Sequence, residues 1–202
     1  MRIRHVLLDA DDVIQEGARE FRSELLAILG KDAGDWLRET FRPDGDVLTG
    51  RVEVVPLLAD RLRSLGRDED PQRLYERLWL EITPHRPVLD LVARWRRAGV
   101  GVHLATNQDA GRAAYMKQAL GYDAVLDGGY YSSDLGVAKP AAAYFSAVLA
   151  DLGARPHEVA FVDDMAVNVA GARSQGLAAV QWEIAHGTGL LEARLGAVGL
   201  LT

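Results

Sequence analysis

The sequence predicts an α/β protein, a doubly wound parallel sheet with a helical segment inserted near its start. Three observations lead to this prediction. Several short apolar runs look like buried strands, helical patterns separate most of them, and one long segment holds helical patterns only. Alternating strands and helices are typical of a parallel sheet that is covered by helices on both faces.

The predicted strands are short and rich in Val, Leu and Ile. They show little polar alternation, as is usual for parallel strands buried on both faces. We place them at residues 5–8, 101–105, 124–126, 159–162 and 178–182.

The predicted helices of the core show the usual capping asymmetry, with Pro or Asp at the start and Gly just past the end. The first of these helices, at residues 87–98, has one apolar face formed by Val88, Leu91, Val92 and Trp95. A closing helix is expected from about Thr188. The other core helices are placed at residues 87–98, 109–120, 140–152 and 167–175.

Residues from about 14 to 84 contain no convincing strand. Helical patterns at 18–29, 32–41, 53–65 and 71–81 are separated there by turn-forming residues. About seventy residues are too many for a plain crossover between two strands. We therefore predict a core domain of residues 1–14 and 85–202, and a helical cap domain of residues 15–84 that packs over the edge of the sheet where a site would form.

Composition narrows the class of protein. The 202 residues are 49% hydrophobic and 26% charged, with a net charge of −6 and no cysteine. This is ordinary for a globular chain; it does not favour nucleic-acid binding, and it rules out disulfides and cysteine-bound zinc. No apolar run approaches the roughly 20 residues of a membrane span, and the N-terminus lacks the features of a signal peptide. We expect a cytoplasmic protein, of an oligomeric state that the sequence leaves open.

Polar residues with chemical uses follow the predicted strands. Asp9, Asp11 and Asp12 follow the first, Thr106 and Asn107 the second, and Asp163 and Asp164 the fourth, while Lys139 precedes a predicted helix. Each alone has a structural explanation, such as helix capping. In an open parallel sheet, however, ligands bind at the carboxyl ends of the strands. Because Asp9, Asp11 and Asp12 are close together in the sequence, their carboxylates would repel one another unless a cation lies nearby.

Four motifs in this order resemble those of the haloacid dehalogenase superfamily, whose members are mostly phosphatases with a Rossmann-like core. They are LLDADDV at 7–13, VHLATN at 102–107, VAKP at 137–140 and FVDDMAVN at 161–168. Each is weak alone, but the four together are specific and cover most of the chain. The helical insertion between the first two resembles the helical cap of the family.

The resemblance implies a Mg²⁺-dependent phosphatase that hydrolyses a small phosphorylated metabolite through an aspartyl-phosphate. Asp9 would be the nucleophile, and Asp11 would protonate the leaving oxygen and then deprotonate water. Thr106, Asn107 and Lys139 would bind the phosphate.

The resemblance also implies the metal ligands, which are the side chains of Asp9 and Asp164 and the backbone carbonyl of Asp11. Asp163 and Asn168 would support this acidic cluster. Mg²⁺ suits it, because this ion binds a few carboxylate oxygens together with phosphate and water.

Two positions depart from the family pattern, since Asp12 stands where Gly is frequent and Val13 where Thr is frequent. Asp11 favours a phosphatase over a dehalogenase, because the dehalogenase branch lacks this second aspartate. A phosphomutase, a dehalogenase on the same scaffold and a non-catalytic member remain alternatives.

The insertion carries aromatic and arginine side chains that are candidates for a pocket above Asp9. Their helical spacing favours a place in the core for the aromatic residues and in solvent for the arginines. His103, inside an apolar strand, is expected to be a core histidine. The candidates are Trp36, Arg38, Phe41, Arg42, Arg51, Tyr75 and Trp79.

Overall fold

A computed structural model of the chain describes residues 2–200, with residue 123 by its backbone only. Within this part, five parallel strands form one sheet in the order β5-β4-β1-β6-β7, which confirms the predicted α/β class. The strands of the structure are β1 His5–Leu8, β2 Gln15–Glu16, β3 Thr83–Pro84, β4 Gly101–Thr106, β5 Gly128–Tyr131, β6 Val159–Asp163 and β7 Ala178–Gln181.

Nine of the eleven helices of residues 2–200 lie within about three residues of the predicted ones, whereas two short helices, at Tyr122–Val125 and Ser132–Leu135, were not predicted. Four of the helices, α1–α4, belong to the insertion, and the others surround the sheet. Their bounds are α1 Phe21–Leu29, α2 Ala33–Thr40, α3 Val54–Ser64, α4 Pro71–Trp79, α5 Arg86–Arg97, α6 Ala110–Ala119, α7 Tyr122–Val125, α8 Ser132–Leu135, α9 Ala142–Leu152, α10 Ala166–Ser174 and α11 Thr188–Ala197, with 3-10 turns at Pro156–Glu158 and Ile184–His186. Each of these helices is too short or too polar to cross a membrane.

The central strand β1 divides the core into two apolar layers. Val6 and Leu8 pack on one face of the sheet with Trp95 of α5, whereas Leu7 packs on the other face with Phe145 of α9. These side chains alternate across the strand, and all are buried. The sheet is therefore covered on both faces, which explains why its inner strands lack polar alternation.

One predicted strand is wrong. Residues 124–126 lie in and after the short helix α7, and the edge strand is β5, residues 128–131. Tyr122 and Leu126 are buried, so the apolar run belongs to a short helix and to the residue that follows it. Strand β5, with the sequence GGYY, lacked an apolar run of its own and pairs with β4 on one side only.

Two smaller differences concern boundaries. Pro140 does not open a helix: it lies in a turn after Lys139, and α9 begins at Ala142. The insertion is also not purely helical at its borders, because β2 and β3 pair as a two-stranded antiparallel ribbon. This ribbon holds together the two segments in which the chain passes from the core to the insertion and back.

The helices of the insertion share an apolar cluster of their own. Its buried members include Leu25, Leu58, Leu74 and Trp79. The insertion also lies against the core at close range: a Cβ added at Gly50 would come within 2.3 Å of the carbonyl oxygen of Ser133. Since Gly50 also has a φ of +73°, both space and backbone conformation favour glycine there.

Candidate active site

The register of the sheet brings the first and fourth motifs together. Leu8 of β1 pairs with Val162 of β6, so the residues that follow them leave the sheet side by side. The backbone N–H of Asp9 donates to the carbonyl of Val162 at 2.9 Å. Asp9 and Asp163 therefore lie at the same carboxyl edge, where ligands bind in sheets of this kind.

Lys139 lies between these two carboxylates. Its Nζ is 2.9 Å from Oδ1 of Asp9 and 2.6 Å from Oδ2 of Asp163. The Lys139 side chain is fully buried, and although burial lowers its pKa, Asp9 and Asp163 raise the pKa above its ordinary value. The ammonium group thus stays charged and offsets part of the repulsion within the cluster.

Asp163 and Asp164 have different surroundings. Asp163 is fully buried, and both of its oxygens accept hydrogen bonds from Asn168, while Oδ1 also accepts from the backbone N–H of Met165 and Oδ2 from Lys139. Asp164 is only half-buried. Asp163 is therefore engaged by four hydrogen bonds within the protein.

Asp9, Asp163 and Asp164 form a group suited to a divalent cation. One carboxylate oxygen from each lies within 4.8 Å of the others. Burial, Asp163 and Asp11 raise the pKa of Asp9 to about 7, against the opposing effect of Lys139. Burial, Asp163 and Asp12 raise the pKa of Asp164 to about 6. A hard divalent cation would stabilise the ionised form of these crowded carboxylates, whose pKa values are raised.

Asp11 is held by three side chains that sequence analysis did not single out. Arg112 binds it in a bidentate pair, with Nη1 at 2.5 Å from Oδ2 and Nη2 at 2.8 Å from Oδ1. The side-chain amides of Gln15 and Gln108 each donate to it at 2.9 Å. Burial opposes ionisation, but Arg112 and these amides outweigh it, so the pKa of Asp11 lies below its ordinary value.

Arg112 also connects Asp11 to the insertion. Its Nε donates to the carbonyl of Trp79, the last residue of α4, at 2.8 Å. Beside it, the Tyr75 hydroxyl donates to Oδ1 of Asp109 at 2.6 Å. Asp109 is the N-cap of α6, so the start of this helix fixes Arg112 and receives the insertion as well.

The second motif lies at the same edge but is bonded to protein groups. Thr106 is buried, and its Oγ1 accepts from Nε2 of Gln108 at 3.1 Å. The Asn107 amide donates to the carbonyl of Lys139 and accepts from the backbone N–H of Lys139, both at 2.9 Å. Asn107 thus fixes the backbone of Lys139, a contact that its position after a strand did not reveal.

The backbone conformation of Asp12 explains why this residue can stand where the family often has glycine. It has a φ of +58° and is the one non-glycine residue among residues 2–200 with a positive φ. Glycine adopts this conformation freely, whereas Asp is one of the few other residues that tolerate it. The turn after β1 therefore needs a left-handed residue, which is the physical reason why glycine suits this position.

A cavity of about 380 Å³ lies between the insertion and the edge of the sheet. Asp11, Asn107 and Arg112 line it from the core. Of the candidates in the insertion, Arg38, Phe41 and Trp79 line it, so these three contribute to a pocket. Trp36 and Tyr75 lie in the apolar cluster of the insertion, as the helical spacing suggested.

Comparison with known proteins agrees with these features. The sequence pattern of haloacid dehalogenase-like hydrolases matches residues 3–176, which include all four motifs. The chain belongs to this family. A search of curated protein sequences found no match.

Solved structures of the family share the fold. The chain is similar to the HAD family enzyme bt-2542 from Bacteroides thetaiotaomicron, with a TM-score of 0.77, 19% identity, and coverage of 95% of this chain and 98% of that one. That enzyme was also solved with magnesium and inorganic phosphate. An L-2-haloacid dehalogenase from Xanthobacter autotrophicus, with chloropropionic acid covalently bound, matches with a TM-score of 0.65 and 18% identity over 89% of this chain and 77% of that one. At these identities the likeness concerns the fold alone.

Proposed function

We propose that the chain is a Mg²⁺-dependent phosphatase that hydrolyses a small phosphomonoester through an aspartyl-phosphate. The observation that carries this proposal is the position of the Asp9 carboxylate, bonded to Lys139 and grouped with Asp163 and Asp164. A buried carboxylate beside a buried ammonium group suits attack on an anionic phosphoryl group, because the cation offsets the repulsion between the two anions.

In the proposed first step, Asp9 attacks phosphorus and the bond from phosphorus to the leaving oxygen breaks. Lys139 and Thr106 lie at the same edge and would bind the phosphoryl oxygens. Asn107 would act chiefly by fixing the Lys139 backbone. In the second step, water attacks the phosphorus of the aspartyl-phosphate and releases inorganic phosphate.

Asp11 would give its proton to the leaving oxygen and then accept one from water. Its contacts set a condition for this role, because the pair with Arg112 holds Asp11 ionised. The ionised form suits the second step, in which a base is needed. Before the first step, Asp11 would have to take up a proton and change its partner.

Mg²⁺ would be held by Asp9 and Asp164, with the Asp11 carbonyl as a further ligand. When bound, it would neutralise charge on the phosphoryl group and on the attacking carboxylate. Asp163, whose oxygens are already engaged by Lys139, Asn168 and the Met165 amide, would orient the site.

We also propose that residues 15–84 act as a cap domain over a core of residues 1–14 and 85–202. The separate apolar cluster of the insertion and the β2–β3 ribbon support this division. A cavity between the two parts is where the leaving group of a small substrate would lie.

The test is phosphate release from an aryl phosphate with and without Mg²⁺, and with Asp9→Asn as the variant. We expect Mg²⁺-dependent turnover that this substitution abolishes. Turnover that survives Asp9→Asn would exclude the mechanism. Halide release from a 2-haloacid, without phosphate release from any ester, would instead support the dehalogenase alternative that Asp11 disfavours.

A further inference from the structure

The cavity between the insertion and the core has two chemically different sides. Its core side is formed by polar residues of the second motif and of α6, next to Asp11. Its insertion side is apolar and includes two half-buried phenylalanines. The apolar lining residues are Phe21, Leu37, Phe41, Leu48 and Trp79.

Most polar side chains on the core side already bond to other groups of the protein. Nε2 of Gln108 donates to Asp11 and Thr106, and Oε1 of Gln108 accepts from Arg112. The Arg112 guanidinium is bonded to Asp11, Gln108 and the Trp79 carbonyl. The Asn107 amide is bonded to the Lys139 backbone in both directions. A hydroxyl that enters the cavity would have to compete with these bonds on the core side, and on the apolar side it would lose its bonds to water without a polar partner in return.

The apolar side presents aromatic rings around Trp79. Phe21 meets Trp79 edge-on, with ring centroids 4.9 Å apart, and Phe41 stacks on it at 6.1 Å with an interplanar angle of 22°. Aromatic rings favour a further ring in an offset or edge-on arrangement, beyond the effect of buried area alone. A flat apolar group would find such partners here.

The insertion contributes one charged residue to the described lining of the cavity. Arg38 lines it, but its side chain is 75% exposed and is paired with Asp35. This arginine therefore faces solvent, and the interior of the insertion side stays apolar.

We propose that this cavity binds the leaving group of the substrate and selects a flat apolar group that carries few hydroxyls, such as a benzyl group, over a sugar. The proposal rests on the proposed function and names its substrate class. Phe21, Phe41 and Trp79 are the residues that determine this specificity.

The test compares phosphomonoesters that differ in polarity but share a six-membered ring and a CH₂–O–P linkage. These are benzyl phosphate, cyclohexylmethyl phosphate and glucose 6-phosphate. We expect kcat/KM to be highest for benzyl phosphate and lowest for glucose 6-phosphate, with a span of about tenfold or more, which is the discrimination that small changes in an apolar pocket provide. Equal values, or a preference for glucose 6-phosphate, would overturn the proposal and leave the phosphatase function standing.

Variants locate the preference in the cavity. Phe41→Ala removes a half-buried ring that contacts Trp79, and we expect it to lower the ratio of benzyl to glucose 6-phosphate turnover about tenfold. Trp36→Ala is the matched control, because it removes an aromatic ring of the insertion that lies outside the cavity lining. The control should keep the ratio of the wild type, and thermal melting confirms that both variants fold. An unchanged ratio in Phe41→Ala would contradict the proposal.

A binding measurement separates failure of the cavity proposal from failure of the phosphatase proposal. Calorimetry with Mg²⁺ present compares 2-phenylethylphosphonate with methylphosphonate, neither of which can be hydrolysed as an ester. If no ester turns over but the phenyl compound binds about tenfold more tightly, and Phe41→Ala removes that difference, the preference of the cavity for a flat apolar group stands and the phosphatase proposal falls. Equal binding without turnover would overturn both.

Discussion

Two cations pair with Asp9 and Asp11 of the first motif, and the surroundings of these cations differ. Lys139 is fully buried between Asp9 and Asp163, and all three residues belong to the core. Arg112 holds Asp11, whose side chain is 38% exposed, and it also bonds the end of α4 in the insertion. The first pair is a fixed part of the sheet edge, whereas the second depends on how the insertion lies on the core.

The two aspartates therefore suit different tasks in the proposed mechanism. As the proposed nucleophile, Asp9 would need a rigid ammonium group beside it, because a reacting carboxylate must keep its position. As the proposed acid/base residue, Asp11 would need a partner that it can exchange, because its charge would change during the reaction. A bidentate arginine at the border between core and insertion is such a partner if the insertion moves.

The largest expected effect comes from removing the buried cation. Lys139→Met leaves Asp163 without its ion pair in a fully buried position, so we expect the free energy of unfolding to fall by about 3–5 kcal/mol. Chemical denaturation measures this loss. The double variant Lys139→Met/Asp163→Asn should recover part of it, since it removes the orphaned charge. A loss below about 1 kcal/mol would show that the pair behaves like an exposed one.

The next effect is stabilisation by Mg²⁺. It tests the difference between Asp164, which is half-buried and a proposed ligand, and Asp163, whose oxygens are bonded to other groups of the protein. At a free concentration of about one hundred times Kd, Mg²⁺ should raise the free energy of unfolding by about 2.7 kcal/mol, or the melting temperature by about 5–10 °C. Scanning calorimetry with Mg²⁺ or with a chelator measures it. Asp164→Asn should remove most of this stabilisation. An equal gain in that variant would place the ion elsewhere.

The same ion should change the pH dependence of the reaction. As the proposed nucleophile, Asp9 would attack only when ionised, so with a pKa of about 7 we expect activity to fall as the pH drops below 7 at limiting Mg²⁺. Saturating Mg²⁺ lowers the pKa of its ligand and should move this acid limb to lower pH. Steady-state rates across pH at two Mg²⁺ concentrations test the shift. If the acid limb of the pH profile does not move, Mg²⁺ is not bound by Asp9.

A smaller effect is expected at the border with the insertion. Arg112→Lys keeps the charge but loses the bidentate geometry and the bond to the Trp79 carbonyl, so we expect a stability loss of about 1–2 kcal/mol. The pKa of Asp11 should rise as its donors are lost. Denaturation and the pH profile of kcat measure the two consequences. A loss as large as that of Lys139→Met would erase the distinction between the two cations.

The smallest effect concerns Asp12. Because Asp12 has a positive φ, Asp12→Gly relieves backbone strain, and we expect a gain of about 0.5–1 kcal/mol, reduced by the greater freedom of glycine when unfolded. Asp12→Ala, which keeps the strain and also removes the carboxylate, is the control and should not gain. Denaturation curves of the two variants decide between strain and charge as the cause.

The class of fold, most of its helices and inner strands, and the four motifs could be predicted from the sequence. Buried strands such as β1 and β6 leave an unmistakable apolar run, and the polar residues that follow them must lie at one edge of a parallel sheet. Strand β5 escaped prediction because an edge strand built from Gly and Tyr carries no such run, and tertiary pairing with β4 decides it.

The partners of the motif residues became visible only in the folded chain. Nothing local connects Asp11 with Arg112, which lies 101 residues further along the chain, or turns the Asn107 amide toward the Lys139 backbone. Gln15, four residues after Asp11, was the one partner near enough in sequence to be noticed. Apolar patterns fix which elements are buried, because burial acts on every residue of an element. Hydrogen bonds and ion pairs depend on single atoms brought together by packing, so most partners of Asp9 and Asp11 cannot be read from the local sequence.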